Sequence, residues 1–352
     1  MSGASASGAG IPAQAAPGRP IRLATWNVEW FDHLFDDRGR LRPDGPSGRD
    51  GIGRAEQGWA IARVLAALDA DAVLIVEAPD ISRRRNGAAA LEAFAARAGI
   101  RARAVLAGPG NDTQQEILLL HDPGRLQARH APMSGPSPPF DGNGPGLVEG
   151  RPVRWSKPPL EAALTLPDGR ALRLIGVHLK SKAPIGAEDA ADARRLARRN
   201  LAKQRAQAAW LRARVDEVLA RGEALVVLGD FNDGPAAGAT GDGPGPSSLS
   251  IVVGPPGPAR LHDPSAELAL AGPTIAQPAT ARFRLPGGRG WLSALLDYAM
   301  VSPDLAATAP TWTIWHPFDN SAAWGDPGLR QALLHASDHF PVTLDLPAAP
   351  AT

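Results

Sequence analysis

The segment Ala224-Leu-Val-Val-Leu-Gly-Asp230-Phe-Asn232-Asp233-Gly-Pro235 organises the rest of the chain. Its first five residues are apolar, and a run this short between glycines is typical of a buried strand rather than a helix. Gly229 permits an unusual backbone conformation, and the polar residues follow where the strand ends, which is where open α/β sheets bind ligands. Asn, Asp, Gly and Pro also favour simple turns, so the segment alone leaves a turn without chemistry open.

Four other places combine a strand end with polar residues that suit a hard metal ion and a phosphate. They are Thr25-Trp-Asn27-Val-Glu29, Val76-Glu77, Gly176-Val-His178-Leu-Lys180-Ser181-Lys182, and the pair Leu296-Asp297-Tyr298 with Ser337-Asp338-His339. In this order they resemble the endonuclease/exonuclease/phosphatase superfamily, the metal-dependent phosphoesterases that include DNase I and exonuclease III. The resemblance covers nearly the whole chain, and Gly-Asp-Phe-Asn followed at long range by Ser-Asp-His-Phe-Pro is its most specific part.

The resemblance implies a DNase I-like α/β fold, a four-layer α-β-β-α sandwich of two mixed β-sheets flanked by helices. At 352 residues the length allows two domains, but the motifs span both halves of the chain and favour one. We therefore predict a single domain over residues 21–347, with short tails at residues 1–20 and 348–352. Residues 1–20 are rich in Ala, Gly, Ser and Pro, and this composition predicts a disordered tail.

Composition excludes several classes of protein. The chain has no cysteine, so disulfides, thiolate catalysis and cysteine-based metal centres are excluded. The net charge of +1 does not indicate a strongly basic coat for nucleic acid. The sequence shows neither a secretory signal nor an apolar run long enough to span a membrane, so we expect a cytoplasmic protein. No feature of the sequence indicates a protein partner.

Apolar runs and helical spacing predict the secondary structure. The predicted strands lie at residues 21–26, 71–76, 102–106, 116–120, 160–166, 171–177, 224–228, within 292–301, and at 342–346, and the predicted helices at 56–68, 88–98 and 193–219. Two Gly/Pro-rich stretches, 132–150 and 236–258, predict loops, and loops of this kind commonly determine the substrate. An aromatic-rich segment, 312–324, fits either base stacking or core packing.

Glu77 follows an apolar strand, and a carboxylate there is costly unless a positive group meets it. A magnesium ion satisfies this requirement, and so does an ion pair with Arg83, Arg84 or Arg85. The resemblance implies that Glu77 is the main metal carboxylate, and that Asn27, Glu29 and Asp338 are further direct or water-mediated ligands. Oxygen ligands favour Mg²⁺, with Mn²⁺ as a plausible substitute.

The resemblance also implies the catalytic residues. Asp297 would accept a hydrogen bond from the ring of His339, and His339 would activate water or bind a phosphate oxygen. Asp230 and Asn232 would orient the water and the phosphoryl group, and the sequence leaves open whether Asp230 or His339 takes the proton. His178 would contact the phosphate or the leaving oxygen. Lys180 and Ser181, which follow His178, would bind the substrate.

These residues predict a Mg²⁺-dependent phosphodiesterase that hydrolyses phosphodiester bonds by in-line attack of water. The sequences His-Leu-Lys-Ser-Lys and Leu-Asp-Tyr resemble the nuclease branches of the superfamily, so nucleic acid is the expected substrate. The alternative keeps the chemistry and changes the substrate to a phosphomonoester or a phospholipid head group. A non-catalytic binding module on the same fold is the third possibility.

Overall fold

The fold was obtained as a computed structural model that describes residues 18–132, 147–148, 150–235, 245–272 and 277–348. Most of the two predicted tails and large parts of the two predicted Gly/Pro-rich loops therefore lie outside the described residues. The strands in chain order are β1 (Ile21–Asn27), β2 (Ala72–Ala78), β3 (Ala104–Ala107), β4 (Glu116–His121), β5 (Gln127–His130), β6 (Leu147–Val148), β7 (Arg151–Pro152), β8 (Leu160–Thr165), β9 (Ala171–His178), β10 (Leu225–Asp230), β11 (Ala281–Arg284), β12 (Trp291–Ala294), β13 (Asp297–Val301), β14 (Thr311–Ile314) and β15 (Val342–Leu346).

Helices account for most of the remaining regular structure. The α-helices are α1 (Arg54–Leu68), α2 (Gly87–Arg97), α3 (Ala190–Ala220), α4 (Ser248–Val253), α5 (Pro264–Ala271), α6 (Pro303–Ala306), α7 (Ser321–Gly325) and α8 (Pro327–Ala336), and Phe31–Leu34 and Pro286–Gly288 form 3₁₀ turns. Among the described residues, no helix is both long and apolar enough to cross a membrane.

Two mixed sheets contain most of the strands. The first has the order β14-β15-β1-β2-β4-β3 and the second the order β13-β10-β9-β8-β5. In the first sheet β1 and β2 run parallel, in the second β9 and β10 run parallel, and the other pairs are antiparallel. Because two parallel strands end at the same edge of their sheet, each sheet presents two neighbouring carboxyl ends, and these ends carry the residues of the candidate site.

The alternation of apolar side chains along the strands explains the four layers. In β10, Val226 and Leu228 lie in the core between the sheets, whereas Leu225 and Val227 pack under α3 and α4. The outer face of the first sheet packs against α1, α2 and α8 in the same way. At Gly176 a Cβ atom would lie 2.4 Å from the side chain of Leu74, so the close approach of the sheets leaves no room for a larger residue there unless Leu74 shifts. The predicted four-layer sandwich is confirmed.

The strands and helices predicted from the sequence are all present, with ends shifted by a few residues. The stretch 292–301 differs from the prediction, because it contains the ends of two strands that belong to different sheets, β12 and β13. Part of the second Gly/Pro-rich stretch, predicted as a loop, forms the helix α4, which Ser247 caps by accepting a hydrogen bond from the backbone N–H of Ser250. Strands β5, β11 and β14 were not predicted, because they are short and only partly buried.

Candidate active site

Six strand ends bring the candidate residues together at one end of the two sheets. Asn27 ends β1, His178 ends β9 and Asp230 ends β10, and Asp230 lies opposite both His178 and Asp297 in the strand register. Gly229, beside Asp230, has a φ of 144°, and a Cβ there would lie 2.0 Å from a backbone oxygen. This position therefore requires glycine, and the unusual backbone conformation expected at Gly229 is present.

Glu77 lies at a β-bulge, where the register between β2 and β4 shifts. Its φ of 59° is uncommon for a residue other than glycine, and bulges of this kind redirect a side chain beside a functional site. The carboxylate accepts hydrogen bonds from the backbone N–H of Trp30 at 3.1 Å and from Asn27 Nδ2 at 3.4 Å. Among the described residues, Glu77 has no ion pair with an arginine, since Arg85 pairs with Asp32 and Asp37 instead.

Asn27 links the two sheets at this end of the molecule. Its Nδ2 donates to Glu77 of the first sheet and, at 3.1 Å, to Asp230 Oδ2 of the second. The side-chain oxygen Oδ1 is buried and has no hydrogen-bond partner among the described residues. A buried amide oxygen without a partner costs free energy, so this atom needs a hydrogen-bond donor or a cation, and a cation there would also meet the adjacent Glu77 carboxylate.

His339 and Asp297 form a buried pair. His339 Nδ1 lies 2.8 Å from Asp297 Oδ2, so the contact implied by the resemblance is present, while the roles of both residues stay predictions. Burial opposes protonation of the ring, but the carboxylates of Asp297, Asp230 and Asp338 outweigh it and raise the pKa of His339 well above its usual value. The other oxygen of Asp297 is buried without a partner among the described residues.

Asp230 is held in place by Asn232. The backbone N–H of Asn232 donates to Asp230 Oδ1 at 2.8 Å, and its side-chain Nδ2 donates to Oδ2 at 3.1 Å. Burial is the largest cause that raises the pKa of Asp230, to about 7. The neighbouring Asp233 has a different environment, because it accepts hydrogen bonds from Lys182 at 2.7 Å and from the backbone of Leu249. Asp233 therefore stabilises the loop after β10 rather than facing the site.

Lys157 is a site residue that sequence reasoning missed. Its Nζ lies 2.7 Å from His178 Nε2, and His178 Nε2 lies 3.5 Å from Asp230 Oδ2. Burial lowers the pKa of Lys157 to about 8, although Glu77 and Asp230 oppose the shift. Burial, followed by the charge of Lys157, also holds the pKa of His178 well below its usual value. A neutral His178 can accept a hydrogen bond from the Lys157 ammonium group.

Glu29 is engaged within the chain. It forms a short ion pair with Arg49, a second residue that sequence reasoning missed, and it accepts a hydrogen bond from the backbone N–H of Asp338 at 3.2 Å. Burial and the charge of Asp338 raise the pKa of Glu29, and Arg49 opposes them. The carboxylate of Glu29 is therefore bonded to Arg49 and to the Asp338 backbone, while Asp338 itself has no ion pair among the described residues.

Lys180 and Ser181 lie on the loop that follows β9. Gln207 Oε1 accepts a hydrogen bond from the backbone N–H of Lys180, and Gln204 Nε2 donates to its carbonyl oxygen, both at 2.8 Å. Gln204 also donates to the carbonyl of Asn232 at 2.8 Å. Two buried glutamines of α3 therefore fix the loops after β9 and β10 relative to each other.

Two positions in the site could hold a cation. Ligand atoms of Asp230, Asp297 and His339 lie within 4.8 Å of one another. In this group, however, His339 is already bonded to Asp297, and both oxygens of Asp230 accept hydrogen bonds. The second position, at Asn27 and Glu77, offers an amide oxygen and a carboxylate that have, within the described part of the chain, no hydrogen-bond partner and no ion pair respectively. The second donor set is the better fit for a hard divalent metal ion.

Comparison with known proteins identifies the family to which the chain belongs. A model of the endonuclease/exonuclease/phosphatase family matches residues 24–339, so the chain belongs to this family. The protein is therefore a phosphoric ester hydrolase, and members of the family generally use a divalent metal ion. A search of curated proteins finds no match to the sequence.

Solved structures agree on the fold. A humanised TDP2 of D. rerio is 13% identical with a TM-score of 0.51, and the match covers 93% of this chain and 98% of that one. A truncated TDP2 of Caenorhabditis elegans is 13% identical with a TM-score of 0.51, covering 94% and 98%. D. rerio TDP2 complexed with a single-strand DNA product is 14% identical with a TM-score of 0.50, covering 93% and 98%. At such identities the similarity shows the fold alone.

Proposed function

We propose that the protein is a Mg²⁺-dependent phosphodiesterase that cleaves nucleic acid by in-line attack of water. The observation that carries the proposal is the position of Asn27, whose buried Oδ1 has no partner among the described residues and whose Nδ2 contacts both Glu77 and Asp230. This arrangement supports an oxygen-rich cation site beside the Asp230, Asp297 and His339 cluster. Phosphoryl transfer requires such a combination of cation and positioning groups.

Asn27 and Glu77 would hold the metal ion, with Asp338 facing it from the segment before β15. Glu29 would act through Asp338, since its carboxylate already accepts the Asp338 N–H and pairs with Arg49. When bound, the ion would draw charge from the phosphate oxygens. Oxygen ligands suit Mg²⁺, and Mn²⁺ can replace it in such a site.

His339 and Asp230 would act on opposite sides of the phosphate. The carboxylates of Asp297, Asp230 and Asp338 raise the pKa of His339 and favour its protonated form, and its bond to Asp297 fixes the orientation of the ring. It therefore suits contact with a non-bridging phosphate oxygen. Asp230, which Asn232 holds through two hydrogen bonds, would orient the attacking water.

Lys157 extends the predicted set of phosphate contacts. Because its ammonium group covers Nε2 of His178 at 2.7 Å, Lys157 would present the positive charge to the phosphate, and His178 would orient it. Lys180 and Ser181, on the adjoining loop, would contact the substrate further along. DNA is the first substrate to test, since a protein of the same fold binds a single-strand DNA product.

The test is nicking of supercoiled plasmid DNA with Mg²⁺, beside an EDTA control. The variant is Glu77→Gln, and the matched control is Glu223→Gln, because Glu223 pairs with Arg173 at the opposite end of β10. We expect EDTA to abolish nicking, Glu77→Gln to reduce it about 10²-fold or more, and Glu223→Gln to leave it unchanged.

If the plasmid is not nicked, calorimetric titration with Mg²⁺ distinguishes a protein that binds the ion but is not a nuclease from a protein that binds no ion. A folded protein that binds Mg²⁺ but nicks no plasmid would refute the nuclease proposal and direct the search to phosphomonoesters and phospholipids. Nicking that survives Glu77→Gln would remove Glu77 from the metal site. A protein that binds no divalent ion would favour the non-catalytic binding module.

A further inference from the structure

Three lysines that belong to different segments meet beside the candidate site. Lys157 lies against His178, Lys180 follows on the loop after β9, and Lys203 lies on α3. Gln207 bonds the backbone N–H of Lys180, and Lys203 precedes Gln207 by four residues, so both lie on the same face of the helix. Lys203 is therefore beside the loop that carries Lys180, and the charges of the two lysines interact.

The helix continues this row of positive charge away from the catalytic residues. Arg199 precedes Lys203 by four residues on the same face, and Asn200 Nδ2 donates to the carbonyl of Ala183 at 2.9 Å. The N-terminal half of α3 thus runs along the loop that carries Lys180 and Ser181. The charge of Lys157 interacts with those of Lys180 and Lys203, and the charge of Lys203 interacts with those of Lys180 and Arg199.

These lysines lack the partners that partly buried cations usually have. Across the part of the chain that the structure describes, none of Lys157, Lys180 and Lys203 forms an ion pair with a carboxylate. Burial lowers the pKa of Lys180, and burial together with the charges of Lys180 and Arg199 lowers the pKa of Lys203. Lys157 has the carboxylates of Glu77 and Asp230 nearby, whereas the burial of Lys180 and Lys203 beside each other is costly, and an arriving anion would relieve that cost.

The neighbouring Lys182, unlike these three lysines, forms an ion pair with a carboxylate among the described residues. It belongs to the same loop, but its ammonium group pairs with Asp233 at 2.7 Å, so its charge is neutralised within the chain. Lys182 therefore stabilises the loop. The three other lysines leave their charge available to a ligand.

We propose that Lys180 and Lys203 form a second phosphate-binding subsite, which takes the phosphate next to the scissile one in a phosphodiester chain. The inference rests on the proposed function, in which Lys157 contacts the scissile phosphate. It restricts the preferred substrate to molecules with successive phosphates, as in an oligonucleotide. A lipid head group or a simple monoester with a single phosphate leaves this subsite empty.

Dinucleotides with and without a terminal phosphate test the subsite. We expect the wild-type enzyme with Mg²⁺ to hydrolyse pTpT or TpTp with a KM about 10-fold lower than that of TpT, because charged hydrogen bonds to one phosphate add roughly this factor. Lys203→Met should remove the difference by raising the KM of the phosphorylated dinucleotide, with the kcat and the KM of TpT changed less than about 2-fold. Lys203→Arg should retain most of the difference.

Arg194→Met is the matched control. Arg194 is exposed and lies on the opposite side of α3, about half a turn around the helix from Lys203, so this variant removes an equal charge from the same helix. It should retain the preference for the phosphorylated dinucleotide. Equal KM values for the three dinucleotides in the wild type, or a preference that survives Lys203→Met, would overturn the subsite.

A binding measurement separates failure of the subsite from failure of the proposed function. In EDTA, where no hydrolysis is expected, calorimetry compares thymidine 3′,5′-bisphosphate with thymidine 5′-monophosphate. Binding of the bisphosphate about 10-fold tighter, lost in Lys203→Met, would support the subsite even if no dinucleotide is cleaved. Absence of cleavage of every dinucleotide and of bis(4-nitrophenyl) phosphate would refute the phosphodiesterase, and equal binding of the two thymidine phosphates would refute the subsite.

Discussion

The two ends of the parallel strands β1 and β2 carry similar residues but balance their charge in opposite ways. At the end away from the site, Asp71 is fully buried, and it accepts hydrogen bonds from Arg101 at 2.6 Å, Arg125 at 3.0 Å and the backbone N–H of Arg22 at 2.8 Å. At the other end, neither Glu77 nor Asp338 has an ion pair among the described residues.

This difference distinguishes carboxylates that stabilise the fold from carboxylates that could bind a ligand. Where the chain supplies its own cations, a buried carboxylate stabilises the fold as long as its partners remain. Where the described residues leave carboxylates and a buried amide oxygen without a cation, these groups cost stability, and a bound cation would remove that cost. The proposed metal and phosphate sites follow from this second condition, and the predictions below test it at both ends of the strands.

The largest effect on stability is expected at Asp71. Asp71→Asn leaves the guanidinium groups of Arg101 and Arg125 without their buried partner, so we expect a loss of about 3–5 kcal/mol in the free energy of unfolding. Asp345→Asn is the control, because its pair with Arg22 is partly exposed, and it should cost about 1 kcal/mol. Urea unfolding measures both.

The catalytic activity of the Asp71→Asn variant is the second measurement at this position. Hydrolysis by the folded Asp71→Asn protein at 25 °C should match that of the wild type, since Asp71 lies at the strand end away from the site. A large fall in activity without a fall in stability would show that the two ends of the strands are not independent.

Mg²⁺ should stabilise the protein by a smaller amount. At ten times its dissociation constant, a bound ion adds about 1.4 kcal/mol, which raises the Tm of a chain of 352 residues by roughly 2 °C. Glu77→Gln should abolish the shift, whereas Asp71→Asn should lower the Tm and keep the shift. Thermal unfolding with and without Mg²⁺ measures both. A shift that persists in Glu77→Gln would place the ion elsewhere.

The fold was largely predictable because its main strands are local apolar runs. β2 and β10 are short, buried and bounded by polar or glycine residues, which predicted both strands. The roles predicted for Glu77 and Asp230 at their ends came from the combination of several motifs and the family resemblance, because one segment alone left a simple turn open. The aromatic-rich segment shows the limit of pattern reasoning. Trp315 belongs to the core and Trp312 donates to the carbonyl of Ala299, while Phe318 stays partly exposed, so one pattern contains residues in different environments.

Residues whose position depends on long-range packing could not be predicted. Lys157 precedes β8 in a Pro-rich stretch with no distinguishing pattern, and it reaches His178 only because β8 pairs with β9. Arg49 reaches Glu29 from a loop, and Lys203 reaches the Lys180 loop through the packing of α3. The bulge at Glu77 depends on the register of β2 with β4, which the sequence of β2 alone does not specify.

The smallest predicted effect is the pH dependence of Asp69, at the arginine-rich end. Burial opposes the shift, but hydrogen bonds and charges from Arg101 and Arg19 outweigh it and lower the pKa of Asp69 below 3.8. A carboxyl group with a lowered pKa in the folded state stabilises the protein above the unfolded-state pKa, and this contribution is lost as the pH falls through the folded-state pKa. Because the Asp69 side chain is 51% exposed, the effect should stay within about 1 kcal/mol.

Asp69→Asn isolates this contribution, because asparagine tolerates the left-handed backbone conformation of Asp69, with its φ of 43°. The difference in free energy of unfolding between wild type and variant should be constant above about pH 5 and shrink as the pH falls below about 4. Urea unfolding between roughly pH 3.5 and 7 measures it. A difference that grows on acidification would mean that the arginines do not stabilise the Asp69 carboxylate, and the contrast between the two strand ends would then depend on Asp71 alone.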